Sequence, residues 1–178
     1  MTLIFPLMGM TQFVLTPDGF RTEGGQDFYV KEISGKSKDD LFMSTYKSVR
    51  ALYNNATDDI VRDSTEIVSI TSVAKKAVAI NVGIKLNYDL TYKLSFEFKD
   101  EKIKVNAPVI IKIEDKGGDL IYLNRDIKKE EGGRIFKGRS VFAGDNLKMS
   151  NVKNDLEKVI NEKVNAVLKK AQDDATGW

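Results

Sequence analysis

From Ile84 to Phe98 every even position is apolar: Ile84, Leu86, Tyr88, Leu90, Tyr92, Leu94, Phe96 and Phe98. The positions between them are Lys85, Asn87, Asp89, Thr91, Lys93, Ser95 and Glu97. A helix would spread such a set around its circumference, whereas a strand sends it to one side. A second run has the opposite parity, with Ile103, Val105, Ala107, Val109, Ile111 and Ile113 apolar. Two runs of period two joined at Asp100-Glu101 specify a β-hairpin with one buried face and one wet face. An even-numbered loop sets Phe98 opposite Ile103, Phe96 opposite Val105, Leu94 opposite Ala107 and Tyr92 opposite Val109. Apolar residues then meet apolar ones, while Glu97 faces Lys104 and Asp89 faces Lys112 on the wet side. Asp-Glu suits a type I′ turn poorly, so a four-residue loop is expected. Pro108 cannot donate to a ladder and marks an edge or a bulge.

Such a sheet needs a cover on its apolar face. Ser37 stands three residues before Asp40, as in a capping box. The helix predicted from about Lys38 to Asn55 places Leu41, Phe42, Thr45, Val49, Leu52, Tyr53 and Ala56 on one stripe. A second helix follows a cap at Asp145-Asn146 or Ser150, with Val152, Leu156, Val159, Ile160, Val164, Val167, Leu168 and Ala171 at helical spacing. Residues from Asp173 to Trp178 are expected to fray. Before the first helix, Asp27 to Ser34 reads as a strand with Phe28, Val30 and Ile33 apolar. After it, Ile60-Val61 and Ile67 to Val73 read as strands around an acidic turn. The order predicted is β-α-β-β-β-β-α: an α+β fold, an antiparallel sheet with two helices on one face. Residues 12 to 26 are read as an extended lead-in, and 74 to 83 carry no clear period. Residues 115 to 149 are glycine-rich and irregular; Leu120 to Leu123 reads as a short strand or a helical turn, and Ile135-Phe136 and Val141-Phe142 as candidate short strands.

With 178 residues the chain suits one α+β domain, taken here as 12–178, that can bury a real core. It contains no Cys and no His, which excludes disulfides, thiol nucleophiles, histidine bases and the usual zinc ligand sets. Its 28 basic and 26 acidic residues leave a net charge of +2, too balanced to act as a strong field on nucleic acid or an anionic membrane. The opening stretch Leu3 to Met10 is apolar and ends in small residues, Gly9 and Thr11, before Gln12. It reads as the remnant of a signal peptide over residues 1–11, with the true start upstream; the alternative is an ordinary first strand. No other segment approaches the length of a membrane span.

Three segments carry a family resemblance. They are Gly35-Lys36-Ser37-Lys38-Asp39-Asp40-Leu41-Phe42, then Ile60-Val61-Arg62-Asp63-Ser64-Thr65-Glu66, then Phe96-Glu97-Phe98-Lys99-Asp100-Glu101-Lys102-Ile103. The chain resembles an exported bacterial family of unknown function with a TATA-box-binding-protein-like (TBP-like) fold. The resemblance covers about residues 27 to 113 and departs at Glu101, where the family tends to have glycine. It implies that fold and an exported location, and brings no activity and no functional residues.

A minor-groove binder presents apolar wedges and basic residues from its open sheet face. Here that face is expected to mix signs and to lack aromatics, which argues against nucleic acid as the partner. The candidate ligand-binding residues are Lys85, Asn87, Thr91 and Lys93 on the open face, with Arg134, Lys137 and Arg139 in the glycine-rich segment. Gly132-Gly133-Arg134 could form an anion nest but lacks phosphate-loop spacing. Asp58, Asp59, Asp63 and Glu66 cluster in sequence without calcium-loop spacing. Ser37 and Lys38 lack a catalytic Ser-x-x-Lys spacing. No catalytic residue, metal ligand or cofactor is assigned. The expected function is a non-catalytic binding or interaction module of the bacterial envelope, periplasmic or secreted, with an envelope protein, peptide or glycan as partner. The alternatives are a cytoplasmic location, a hydrolase using Asp, Glu, Ser or Lys, and a structural part of an envelope assembly.

Overall fold

The computed structural model describes residues 12–55, 58–63, 66–81, 83–124 and 139–176. A hairpin comes first, β1 (Phe13–Thr16) and β2 (Gly19–Thr22). Next are β3 (Phe28–Glu32), α1 (Lys38–Leu52), β4 (Asp59–Asp63), β5 (Ile67–Asn81) and β6 (Lys85–Lys99). The chain continues through β7 (Lys102–Asn106), β8 (Val109–Glu114), β9 (Ile121–Asn124), β10 (Arg139–Ala143) and β11 (Asn146–Leu147) to α2 (Ser150–Thr176). The main sheet has the order β3-β7-β6-β5-β4, all antiparallel, and β8 continues the lane of β7 along β6.

The predicted α+β class stands, but the element order is richer than expected. The lead-in is a hairpin: Gly19, at φ +117°, closes the turn, and Phe13, Leu15 and Phe20 are buried. The glycine-rich segment supplies β9, β10 and β11, and β9 with β10 is a parallel pair in a mainly antiparallel fold. The candidate strand Ile135-Phe136, like residues 1–11, lies outside the described residues.

Both helices cover one face of the main sheet and pack against each other. That face buries Tyr88, Leu90, Tyr92, Leu94, Phe96 and Phe98 of β6, whereas Leu86 is half-buried and Ile84, which precedes β6, is 67% exposed, so the buried alternation is shorter than predicted. Each large side chain removed from water there is worth roughly 1.5–3 kcal/mol. Helix α1 starts as predicted: Ser37 Oγ accepts from the Asp40 amide at 3.2 Å, and the Asp40 carboxylate accepts from the Ser37 amide at 3.3 Å. It ends earlier than Asn55, with Tyr53 as its C-cap, and Leu52 points outward at 42% exposure. Helix α2 begins at Ser150 and reaches Thr176, so residues 173–176 of the stretch expected to fray are helical, while residues 177–178 lie outside the described residues. Lys170 pairs with Asp174 one turn on, and Ser48 Oγ of α1 lies 3.4 Å from the Asp174 carboxylate, so the last turns are tied down.

The hairpin register is as predicted near its tip, with Phe98 opposite Ile103, Phe96 opposite Val105 and Glu97 opposite Lys104. It fails beyond Pro108. Lys93 faces Val109, Tyr92 faces Ile110, Thr91 faces Lys112 and Asp89 faces Glu114. One extra residue is absorbed at Ala107-Pro108 and a second between Ile110 and Lys112, so Val109 and Ile111 point to solvent instead of the core. Asp89 therefore does not meet Lys112; it serves β5 on the other side. Its carboxylate takes the Lys75 ammonium at 2.9 Å and the Lys76 amide at 2.8 Å. This fixes the bulge between Ala74 and Val78, where Lys76 sits at φ +52°.

The tip is a two-residue loop, not four, and Glu101 adopts φ +61°. The surroundings hold it there. The Glu101 amide donates to Lys36 O at 2.8 Å, its carbonyl accepts from Ile33 N at 2.8 Å, and its carboxylate accepts from Gly35 N at 2.7 Å. Beside it Asp100 accepts from the Lys38 amide at 2.8 Å, a carboxylate at the positive end of α1.

Candidate functional site: the open face of the sheet

The face away from the helices is built from the odd positions of β6 and their neighbours. The strand register sets Ile67, Glu97, Lys104 and Val30 side by side across four strands. One step towards the tip, Lys99 stands beside Lys102, which stands beside Glu32. One step the other way, Asn106 stands beside Phe28. Phe28 and Val30 thus face the open side, whereas Tyr29 and Ile33 turn inward. The sequence reading put Phe28 and Val30 with Ile33 and left the open face without aromatics; parity along a strand separates them, and Phe28 is an aromatic on that face.

Glu97 organises this corner. Asn106 Nδ2 donates to its carboxylate at 2.8 Å and Lys104 Nζ at 3.2 Å. The Asn106 hydrogen bond, followed by the Lys104 interaction, holds its carboxyl below the usual carboxylate range. Lys104 Nζ also lies 4.8 Å from the centre of the Phe28 ring, within cation–π reach. Lys102 approaches Glu32 at 3.8 Å, and Lys99 takes part in none of the ion pairs found among the described residues. Between Phe28, Val30, Glu97, Lys99, Lys102 and Lys104 the surface sinks into a depression of about 440 Å³. An apolar patch ringed by cations suits a ligand with both apolar groups and carboxylates.

The residues singled out from sequence are not gathered in one place. Lys85, Asn87 and Lys93 are exposed and Thr91 half-buried on the open side of β6, away from the depression. Arg139 is on the covered side, where its guanidinium donates to the Tyr88 hydroxyl, so it does not join them. Arg134 and Lys137 lie outside the described residues. The residues missed were Phe28, Val30, Lys99 and Lys102. Their signal was present: Phe28, Val30 and Glu32 share one parity, as do Lys102 and Lys104 on the facing run.

The acidic cluster disperses. Asp59 and Asp63 lie on β4, Glu66 pairs with Lys38 at 3.0 Å, and Asp58 accepts from Ser72 Oγ at 2.6 Å and from Asn55 N at 3.0 Å. No group of three metal-ligating side chains occurs among the described residues. Ser72 leads inward to Tyr92, whose hydroxyl lies 3.3 Å from that of Tyr53. Burial pushes both phenols above the ordinary tyrosine value. This buried chain of hydroxyls ties the end of α1 to the sheet, and Ser72 is only 4% exposed.

No protein-family profile and no curated protein sequence matches the chain. Solved structures do match, two of them from bacteria. A TBP-like protein from Parabacteroides distasonis is 14% identical with a TM-score of 0.54, covering 82% of this chain and 90% of that one. A DUF4468 family protein from Bacteroides ovatus is 10% identical with a TM-score of 0.54, covering 82% of this chain and 84% of that one. At such identities the likeness is one of fold: this chain carries a TBP-like α+β architecture.

Proposed function

We propose that this domain is a non-catalytic binding module of the bacterial envelope and that it binds through its open sheet face. The depression between Phe28, Val30 and the lysines Lys99, Lys102 and Lys104 is the observation that carries this reading. The apolar stretch Leu3 to Met10 supports export, and the two bacterial structures of like fold support a bacterial source. Binding of nucleic acid fits the face less well. Its lysines are interspersed with carboxylates, as in Lys104–Glu97 at 3.2 Å and Lys112–Glu114 at 2.6 Å, so the face lacks the continuous positive track that a run of phosphates needs.

A ligand that binds only the folded state raises its stability, by about 2.7 kcal/mol at a hundred times its dissociation constant. For a chain of this size that is roughly 5–10 °C in melting temperature. Peptides and glycan fragments screened by thermal shift should therefore give hits that Lys104→Glu or Phe28→Asp abolishes. Hits that survive both substitutions would place binding elsewhere and overturn the reading. Fractionation of cells making the full-length gene product, with N-terminal sequencing, tests export; an uncleaved chain in the cytoplasm would overturn it.

A further inference from the structure

The exposed strand edges of this fold are treated differently. The outer edge of β1 is covered by side chains of α2. Asn161 accepts from Phe13 N at 2.9 Å and donates to Phe13 O at 2.9 Å, and Glu157 accepts from Leu15 N at 2.6 Å. The β4 edge is short and charged, with Asp59, Arg62 and Asp63 exposed, which discourages pairing with another chain. The β3 edge is equally short, but it has no such side-chain cover among the described residues and its first three residues, Phe28, Tyr29 and Val30, are uncharged. Ala107 N donates to Asp27 O at 2.7 Å and Ile33 N to Glu101 O at 2.8 Å, so odd residues of this strand point their backbone groups at β7. The alternation of antiparallel pairs then turns the amides and carbonyls of Phe28, Val30 and Glu32 outward. Among the described residues none of these groups has a partner.

The same residues border the depression on the open face. Val30 is 45% exposed in the middle of this edge. Lys31 projects to the other side of the strand, and Lys99, Lys102 and Lys104 stand within two strands of it. The two carboxylates nearby, Glu32 and Glu97, already pair with Lys102 and Lys104. We propose that β3 is a strand-addition site that takes an extended, acidic peptide. The peptide extends the main sheet by pairing with the outward groups of Phe28, Val30 and Glu32. Its apolar side chains lie against Phe28 and Val30, and a carboxylate on the same face reaches Lys99, which has no ion pair among the described residues, with Lys102 beside it. This recognition by main-chain ladder plus alternate side chains follows from an open edge beside a shaped surface. The inference rests on the open face being the binding surface and adds how a ligand is held there.

The test uses the full chain and a capped peptide of about eight residues, long enough for one strand, with threonine at every other position and valine and glutamate taking turns at the positions between, so that both fall on the open face. Two controls accompany it: the same peptide with alternate amides N-methylated, and a valine–lysine peptide. Binding is followed by amide chemical shifts and titration. The expected result is saturable binding with the largest shifts at residues 28–32 and 102–106. Binding should be about tenfold weaker or lost for the N-methylated peptide, which lacks ladder donors. The Val30→Pro variant should show the same loss. Its missing N–H faces outward, so the pairing of β3 with β7 is left intact, as proline on an edge strand allows. The Lys99→Glu and Lys102→Glu variants, which keep the edge, should reverse the preference between the two peptides. Equal binding of the methylated peptide, or by Val30→Pro, would overturn strand addition while leaving the open-face reading in place. Absence of any peptide binding, or concentration-dependent pairing of two copies abolished by Val30→Pro, would also overturn the acidic peptide as occupant. A ligand found by the thermal screen that ignores Lys104→Glu and Phe28→Asp is the separate failure of the broader reading.

Discussion

Phe96 and Tyr92 lie one above the other on the covered side of β6, and each faces a strand across the same gap. Phe96 meets Val105 of β7, in a stretch where buried and accessible residues alternate without a fault. Tyr92 meets Ile110 of β8, in a stretch where Val109 is 55% and Ile111 52% exposed. The two neighbouring strands have similar composition and belong to one apolar run in the sequence. What separates them is Pro108, which has no amide to give to the ladder and so leaves β7 and β8 to set their registers independently. The comparison shows that a hydrophobic period fixes register only as far as the hydrogen-bond ladder is continuous.

The largest test sets the two stretches against each other. Phe96→Asp buries a carboxylate among apolar side chains and should cost more than about 4 kcal/mol, enough to unfold most of the population. Val109→Asp adds the same group to a solvated position and should stay within about 0.5 kcal/mol of the parent. Urea unfolding measures both. Loss of folding in Val109→Asp would mean that β8 keeps the register of β7 after all.

The same contrast explains what could be read from sequence. The even positions of β6, the capping box at Ser37 and Asp40, and the buried stripe of α2 are local signals with a fixed period, and each was legible. The bulges were not. The one at Lys75–Ala77 depends on Asp89, whose alternatives were Lys112 across one neighbour or Lys75 and the Lys76 amide across the other. Only the failed register of β8 removes the first. The depression was half legible. Phe28 and Val30 share a parity, but their face depends on Ile33 and Tyr29 turning inward against the core, a tertiary choice that a five-residue strand does not state. Arg139, read as a free cation in a loop, is taken by Tyr88, a contact fifty-one positions away.

Next in size is the contact between the hairpin tip and α1. Asp100→Ala removes the acceptor for the Lys38 amide and a negative charge from the start of the helix, and should cost about 1 kcal/mol. Equilibrium unfolding checks it. A neutral result would mean that Ser37 alone satisfies this end of the helix, and that the ordered β7 stretch owes nothing to its docked tip.

Asp89 gives a smaller effect with a pH signature. Lys75 chiefly, and then the Lys76 amide, hold its carboxyl below the ordinary value of 3.8. A depressed folded value means that the contribution is present above pH 3.8 and fades as pH falls towards the folded value, because the unfolded chain takes up the proton first. The site is partly open to solvent, so Asp89→Asn should cost only about 0.5–1 kcal/mol at pH 7. The gap between parent and variant should close below pH 3.8. A gap that stayed constant down to low pH would show that the bulge is held by packing and not by this carboxylate.

The smallest expected change is at Glu101, where the tip departs from glycine. A non-glycine residue at φ +61° costs roughly 1–2 kcal/mol in the left-handed region. The carboxylate recovers part of that through Gly35 N at 2.7 Å, a solvent-exposed bond worth about 0.5–1.5 kcal/mol. Glu101→Gly relieves the backbone and loses the bond, so the two effects should cancel to within about 1 kcal/mol. Glu101→Ala keeps the strained backbone and loses the bond, so it should be the less stable of the two by about 1 kcal/mol. The backbone bonds to Lys36 and Ile33 persist in both variants, which makes the comparison one of φ against a single carboxylate. Equal stability of the glycine and alanine variants would mean that the docked loop imposes no strain. The tip would then be as relaxed as the regular ladder of β7 that it begins.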